Sequence, residues 1–161
     1  MAIISWSGLA KPKHYIEYKR FARIWDMGMR FENLEAWQKA RVVVRQVYGL
    51  TRNEGIQRYF GLCSQIQRSS VSVMTNIAEG FERIGTPEKL NFYNIARASS
   101  GETRSLLYVI EDNYPEHADT CAEIRKDTIQ VGRKVTGLIS SFKKRQASVT
   151  ISVLITLLIR Q

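Results

Sequence analysis

Apolar side chains recur every three or four residues through most of positions 33–142, the period of helices that bury one face. The first such segment is predicted from Asn33 to Leu50, with Asn33 as its cap and Leu34, Trp37, Val44, Val47 and Tyr48 in helical register behind Phe31. Glu35 and Lys39 stand one turn apart and predict an intrahelical ion pair. A polar loop, Thr51 to Gly55, ends this segment, and the next runs from near Tyr59 to Gly80. Its stripe is Leu62, Ile66, Val73 and Ile77, interrupted by Ser69 and Ser70, small residues that let another helix approach closely. Gly80 is expected to terminate it in the left-handed conformation.

A third helix is predicted from Pro87 to about Asp112. Thr86 is placed to cap it, Pro87 fits the first helical position and Glu88 suits the positive end of the dipole. Leu90, Phe92, Tyr93, Ala96, Ser99, Leu106, Val109 and Ile110 supply its apolar face. Gly101 interrupts it at about 1 kcal/mol relative to alanine, unless a close helix contact uses the missing side chain. Asn113-Tyr114-Pro115 stops it. The fourth helix is expected from about Glu116 to Phe142, with Cys121, Ile124, Thr128, Val131, Val135, Leu138, Ile139 and Phe142 in register. Four long helices with short links predict an all-α, antiparallel up-down-up-down four-helix bundle.

The two ends depart from this pattern. Residues 1–28 have no clean period, and Met27 and Met29 stand where the periodic region begins. The expectation is a folded unit starting near Met29, preceded by a tail or an over-long translation. Residues 147–159, ASVTISVLITLLI, lack charge and are rich in β-branched side chains. The run falls short of the ~20 residues a membrane helix needs. An interfacial anchor, a strand-like contact with another chain, an aggregation-prone end and an atypical tail outside the bundle all fit it. The division expected is therefore 1–28 extension, 29–142 bundle and 143–161 tail.

Charge refines this division. The net charge of +9 suggests nucleic acid. Yet residues 1–28 hold +3, residues 143–161 hold +4, and residues 29–142, with 15 basic and 13 acidic side chains, only +2. The two cysteines, Cys63 and Cys121, form no CxxC, so a reducing cytoplasm is the expected setting, with one bridge left open. His14 and His117 belong to no Glu-x-x-His pair, which leaves a di-iron site without ligands. No phosphate-binding glycine loop and no nucleophile elbow occurs. No cofactor, metal, small-molecule substrate or catalytic residue is indicated, and Cys63 reads as a packed thiol.

Two separated motifs carry a family resemblance. Phe31 to Ala40, FENLEAWQKA, resembles the opening of the bacterial four helix bundle protein family. Phe60-Gly61-Leu62, Gln65-Ile66 with Arg68, and Asn76-Ile77-Ala78-Glu79-Gly80 resemble its second-helix signature. That family includes proteins encoded in intervening sequences of large-subunit ribosomal RNA genes, and Avd, the accessory protein of diversity-generating retroelements. The resemblance covers about residues 29–142. It implies an antiparallel bundle assembled as a homopentamer and, for Avd, binding of nucleic acid and of a reverse transcriptase. Members often carry a proline where this chain has Met74 and alanines where it has Ser69 and Ser70, so a straighter helix with a more polar buried face is expected.

Candidate sites follow. Lys39, Arg41, Arg45 and Arg52 form a basic stripe on the first helix. Repeated around a ring, it would hold a phosphate backbone, RNA or DNA, by counterion release. Trp37 and Tyr48 beside it read as core rather than as base-stacking platforms. Arg68, Asn76, Glu79, Gly80 and Glu102 are candidates for structural or subunit contacts. Glu79 sits where the helix dipole disfavours a carboxylate, so an arginine or backbone donors should compensate. Asn76 and Glu79 are expected to hold the link between helices two and three. The expectation is a non-enzymatic, self-assembling cytoplasmic protein that binds nucleic acid or a nucleic-acid enzyme. The alternative is a structural or regulatory protein–protein adaptor.

Overall fold

The computed structural model describes residues 30–159, with side chains through Ala147. Met27, Met29 and His14 lie outside the described residues. The helical unit begins at Phe31. A 3₁₀ turn, Phe31–Asn33, leads into α1 (Glu35–Leu50), and a one-turn α2 (Glu54–Gln57) follows. The remaining long helices are α3 (Phe60–Glu82), α4 (Thr86–Asn113) and α5 (Ala118–Ile159), with a second 3₁₀ turn, Pro115–His117, ahead of α5. The protein is all-α, and no strand occurs among the described residues. Within the bundle α1 packs on α3 and α5, and α4 also packs on both α3 and α5.

The helix starts differ from expectation. Asn33 falls in the 3₁₀ turn, and Leu34 enters α1 in extended conformation without a side-chain cap. The turn is held instead by Gln38 Nε2 donating to the Glu32 carbonyl at 2.9 Å, and by the Phe31 ring edge-on to Trp37 at 5.1 Å. Asn53 serves the other end of α1, its amide donating to the Leu50 carbonyl at 2.8 Å. Thr86 does not cap α4 either: Gly85 is the capping residue, and Thr86 already lies in the first turn beside Pro87.

Gly80 does not terminate its helix. It keeps helical backbone, and α3 continues to Glu82 before Arg83 turns extended. Glycine is required for a different reason. A Cβ at position 80 would lie 2.7 and 2.9 Å from atoms of the buried Tyr93 ring, distances that packed carbon atoms do not reach. The helix end is met from α4, where the Lys89 ammonium donates to the Phe81 carbonyl at 2.6 Å and the Gly80 carbonyl at 3.3 Å.

The core is drawn from all four long helices. From α3 it takes Cys63, Ile66, Val73 and Ile77, and from α5 Cys121, Ile124, Val131, Val135 and Ile139, matching the expected stripes. Leu138 and Phe142 pack against its edge. Helix α1 is rotated from expectation. Its buried column is Ala36, Ala40, Val43, Val47 and Leu50, which leaves Trp37 at the margin and Tyr48 36% exposed. On α4, Val109 is exposed, and Ser100, Thr103 and Leu107 are buried in its place.

Between α3 and α4 the buried face is polar, as expected for Ser69 and Ser70. The Ser69 and Thr103 hydroxyls share a hydrogen bond at 2.9 Å, and those of Ser72 and Ser99 share another at 3.0 Å. Thr103 also donates to the Ser99 carbonyl at 2.9 Å, and Ser70 to that of Gln67 at 2.9 Å. Short side chains bring the two helices close, and every hydroxyl in the seam has a partner, which is the condition for burying polar groups at little net cost. Both cysteines are free and buried. The Cys63 thiol donates to the Ile56 carbonyl at 3.2 Å, and burial pushes both thiols' pKa values up.

Gly101 is not used by a close contact: the nearest atom to a Cβ there is Arg104 Nη2, at 4.0 Å, and Gly137 has open space. Gly101→Ala and Gly137→Ala are each expected to raise the unfolding free energy by up to about 1 kcal/mol, read by urea denaturation. A loss at either position would place an undetected partner there.

Helix α5, 42 residues long, does not stop at Phe142 but continues through the apolar tail to Ile159. A helix already nucleated adds one hydrogen bond per residue, which outweighs the weak strand preference of β-branched side chains. The tail is thus helical rather than extended through Ile159. No helix of the described residues is long and apolar enough to cross a membrane.

Candidate functional site

Turning α1 to bury Ala40, Val43 and Val47 directs another column outward. Arg41, Arg45, Tyr48 and Arg52 follow one another at intervals of four, three and four residues and are all exposed. On α3, Ser64, Arg68, Val71 and Thr75 make the corresponding outer column. Between α1 and α3 lies an open groove of about 370 Å³, lined by Tyr48 from α1 and by Ser64, Gln67, Arg68, Val71, Ser72 and Thr75 from α3. Gln67 Nε2 donates to the Thr51 hydroxyl at 2.8 Å and ties the two helices together. Arg41 stands over the Trp37 ring, 5.8 Å from its centre.

The charges divide into two sets. Lys39, expected on the basic stripe, is held by Asp127 of α5 at 2.7 Å, a carboxylate that also accepts from Gln46 Nε2 at 3.1 Å. Its expected partner, Glu35, pairs with Lys134 at 2.5 Å, and that bond lowers the Glu35 pKa. Arg125 pairs with Glu111 and stacks on Tyr108 at 4.1 Å. Among the described residues, Arg41, Arg45, Arg52 and Arg68 form no ion pair. Arg68, expected as a structural contact, belongs by position to the groove.

The remaining candidates hold the α3–α4 side. Glu79 lies 3.8 Å from Arg83, and Arg83 stacks on Phe92 at 4.6 Å, so an arginine does compensate the carboxylate and clamps the link. Asn76 does not reach the link. Its amide donates to the Ser72 carbonyl at 2.7 Å and the Ser72 hydroxyl at 3.1 Å within its own helix. Glu102 accepts from Gln65 Nε2 at 3.4 Å across α3 and α4, on an exposed edge. Gly80 seats Tyr93, whose pKa burial pushes up to about 12.

Sequence reasoning missed two residues. Lys89 is 4% exposed, with the Phe81 and Phe142 rings 5.8 and 5.9 Å from its nitrogen, and burial lowers its pKa to about 8. Its signal was its register: Lys89, Tyr93 and Ala96 share one helical column, so a lysine stands in line with core residues. Tyr48 was read as core, and the rotation of α1 makes it a groove wall. Among the described residues no cluster of histidine, cysteine, aspartate and glutamate could hold a metal.

An all-helical domain with a groove lined by Tyr48 and Arg68 defines the class. Comparison narrows it: the family model described as 23S rRNA-intervening sequence protein matches residues 32–137, and the chain belongs to that family. Among solved structures it resembles a protein of unknown function from the S23 ribosomal protein family of Bacteroides thetaiotaomicron. That match has a TM-score of 0.60 and 22% identity, and covers 65% of this chain and 97% of that one. At this identity the likeness is one of fold. None of the curated proteins matches.

Proposed function

We propose that this protein is a non-enzymatic, cytoplasmic, self-assembling antiparallel four-helix bundle that binds nucleic acid through the α1–α3 face. The observation that carries the reading is the segregation of its charge. Lys39, Lys134 and Arg125, on or against α5, are neutralised by Asp127, Glu35 and Glu111, whereas Arg68 in the groove and the exposed Arg41, Arg45 and Arg52 have no carboxylate partner among the described residues. Guanidinium groups so arranged suit phosphate oxygens, and affinity would come from counterion release. The up-down-up-down arrangement is supported by cross-helix pairs whose numbers rise on one helix as they fall on the next. Ser69–Thr103, Ser72–Ser99 and Gly80–Lys89 do so between α3 and α4. The pentameric state and a reverse transcriptase as partner rest on the resemblance to the four helix bundle family.

The test is a fluorescence-anisotropy titration with labelled oligonucleotide over a salt series, alongside the mass in solution by light scattering. Arg41→Glu with Arg45→Glu is expected to weaken low-salt binding at least tenfold and to flatten the log–log salt slope by ~0.7 per lost phosphate contact on a single strand. Unchanged affinity rejects this surface.

The adaptor reading has one observation in its favour. Phe60 is 81% exposed and neighbours Tyr59, whose ring meets Tyr114 edge-on at 5.8 Å, so an aromatic patch lies at one end of α3. A protein partner without any nucleic-acid binding would decide for it.

A further inference from the structure

Resting on the nucleic-acid reading, we propose that the α1–α3 groove is a single-strand site in which an unpaired base stacks on Tyr48 while Arg68 holds an adjoining phosphate. Tyr48 and Arg68 line the same groove from opposite helices, so an aromatic ring and a guanidinium share one concavity. That combination is what single-strand binders use, because every base has a face to stack and every link a phosphate to neutralise.

The size of the groove favours a single strand over a duplex. About 370 Å³ is at the small end of ligand pockets, which run from roughly 300 to 1,000 Å³, so it suits one nucleotide-sized group. A duplex keeps its bases stacked inside and would offer only phosphates, to Arg68 and the exposed arginines nearby. The polar lining is tolerant of base type. Ser64 and Thr75 carry hydroxyls that can donate or accept, and Gln67, its amide N–H committed to Thr51, keeps Oε1 as an acceptor. Arg45 lies three residues before Tyr48 on α1, ~4.5 Å along the axis, and Arg52 follows in the turn after the helix, so the strand would follow α1 with phosphates flanking the stacked base. The site therefore reads strandedness and backbone charge, with little sequence preference.

The experiment uses the full chain and four labelled probes at low salt. They are an oligothymidylate and an oligouridylate of about 20 nucleotides, long enough for the ~4–16 nucleotides such sites cover, and DNA and RNA duplexes of equal length. Tyr48→Leu fills similar space without an aromatic face. It is expected to weaken single-strand binding roughly 5- to 100-fold and duplex binding less than about twofold, while Tyr48→Trp retains single-strand affinity. Photocrosslinking of a 5-iodouridine strand should place the adduct on the Tyr48 peptide. The deoxy and ribo arms decide which polymer is preferred.

Equal binding of single strands and duplexes, or a folded Tyr48→Leu protein with undiminished single-strand affinity, overturns the stacking site and leaves the basic-surface reading standing. If no probe binds even at low salt, both fail together.

Discussion

Gly80→Ala is expected to lower the unfolding free energy by about 1–3 kcal/mol, although alanine is the better helix former by about 1 kcal/mol. The added Cβ would meet the Tyr93 ring at 2.7 and 2.9 Å and the Phe92 Cβ at 3.2 Å. Tyr93 is 1% exposed and packs 5.9 Å from the Phe142 ring, so it has no free direction in which to yield. Removing the ring in Tyr93→Ala should cost about 3–5 kcal/mol through the cavity it leaves. In the double variant the new methyl enters that cavity, so the combined loss is expected to fall below the sum of the two single losses. Urea unfolding of the four proteins measures this. Strict additivity would mean that the ring and position 80 do not meet.

The second large effect is a dependence of stability on pH carried by Lys89. Burial lowers its pKa from 10.5 to about 8, with the Glu82 charge acting weakly in the opposite sense. Between those two values the unfolded chain binds the proton and the folded protein does not. Stability therefore rises with pH across that window and is flat in this respect below about pH 8. At about 1.4 kcal/mol per unit, the full gain is roughly 3 kcal/mol. Tyr93, Cys63 and Cys121, whose pKa values burial raises, act in the opposite direction as pH climbs through the ordinary thiol and phenol range. They are common to both proteins when the native chain is compared with Lys89→Met, so the difference isolates the lysine. The native chain should gain on the variant between pH 8 and 10.5. A constant difference would mean that Lys89 titrates normally and that its two carbonyl contacts fully repay its burial.

Most of the fold is legible along the chain. The columns of α3 and α5 follow from spacing alone, because a buried helical face repeats with a fixed period. The links are legible from Asn53, Pro87 and Pro115. Boundaries are less so: Asn33 and Thr86 have capping chemistry, yet each stands one or two residues from the helix entry, where a 3₁₀ turn or Gly85 takes the role. The candidate site is half legible. Arg41, Arg45 and Arg52 are recognisable as one stripe, but Lys39 is indistinguishable from them until Asp127 is brought to it from 88 residues away.

The sequence by itself determined that the chain is helical, where its long helices lie, that small hydroxyl residues mark a helix–helix seam, and which family it joins. Only the tertiary structure decided how each helix is rotated, and that choice set the chemistry. One residue's shift turns a helix face by about 100°, which is enough to move Tyr48 from core to groove wall. It also decided that Gly80 makes room for a ring rather than a turn, and that a lysine in core register reaches the carbonyls ending α3. Those roles depend on atoms from another helix, and a one-dimensional pattern holds no record of which neighbour will stand opposite.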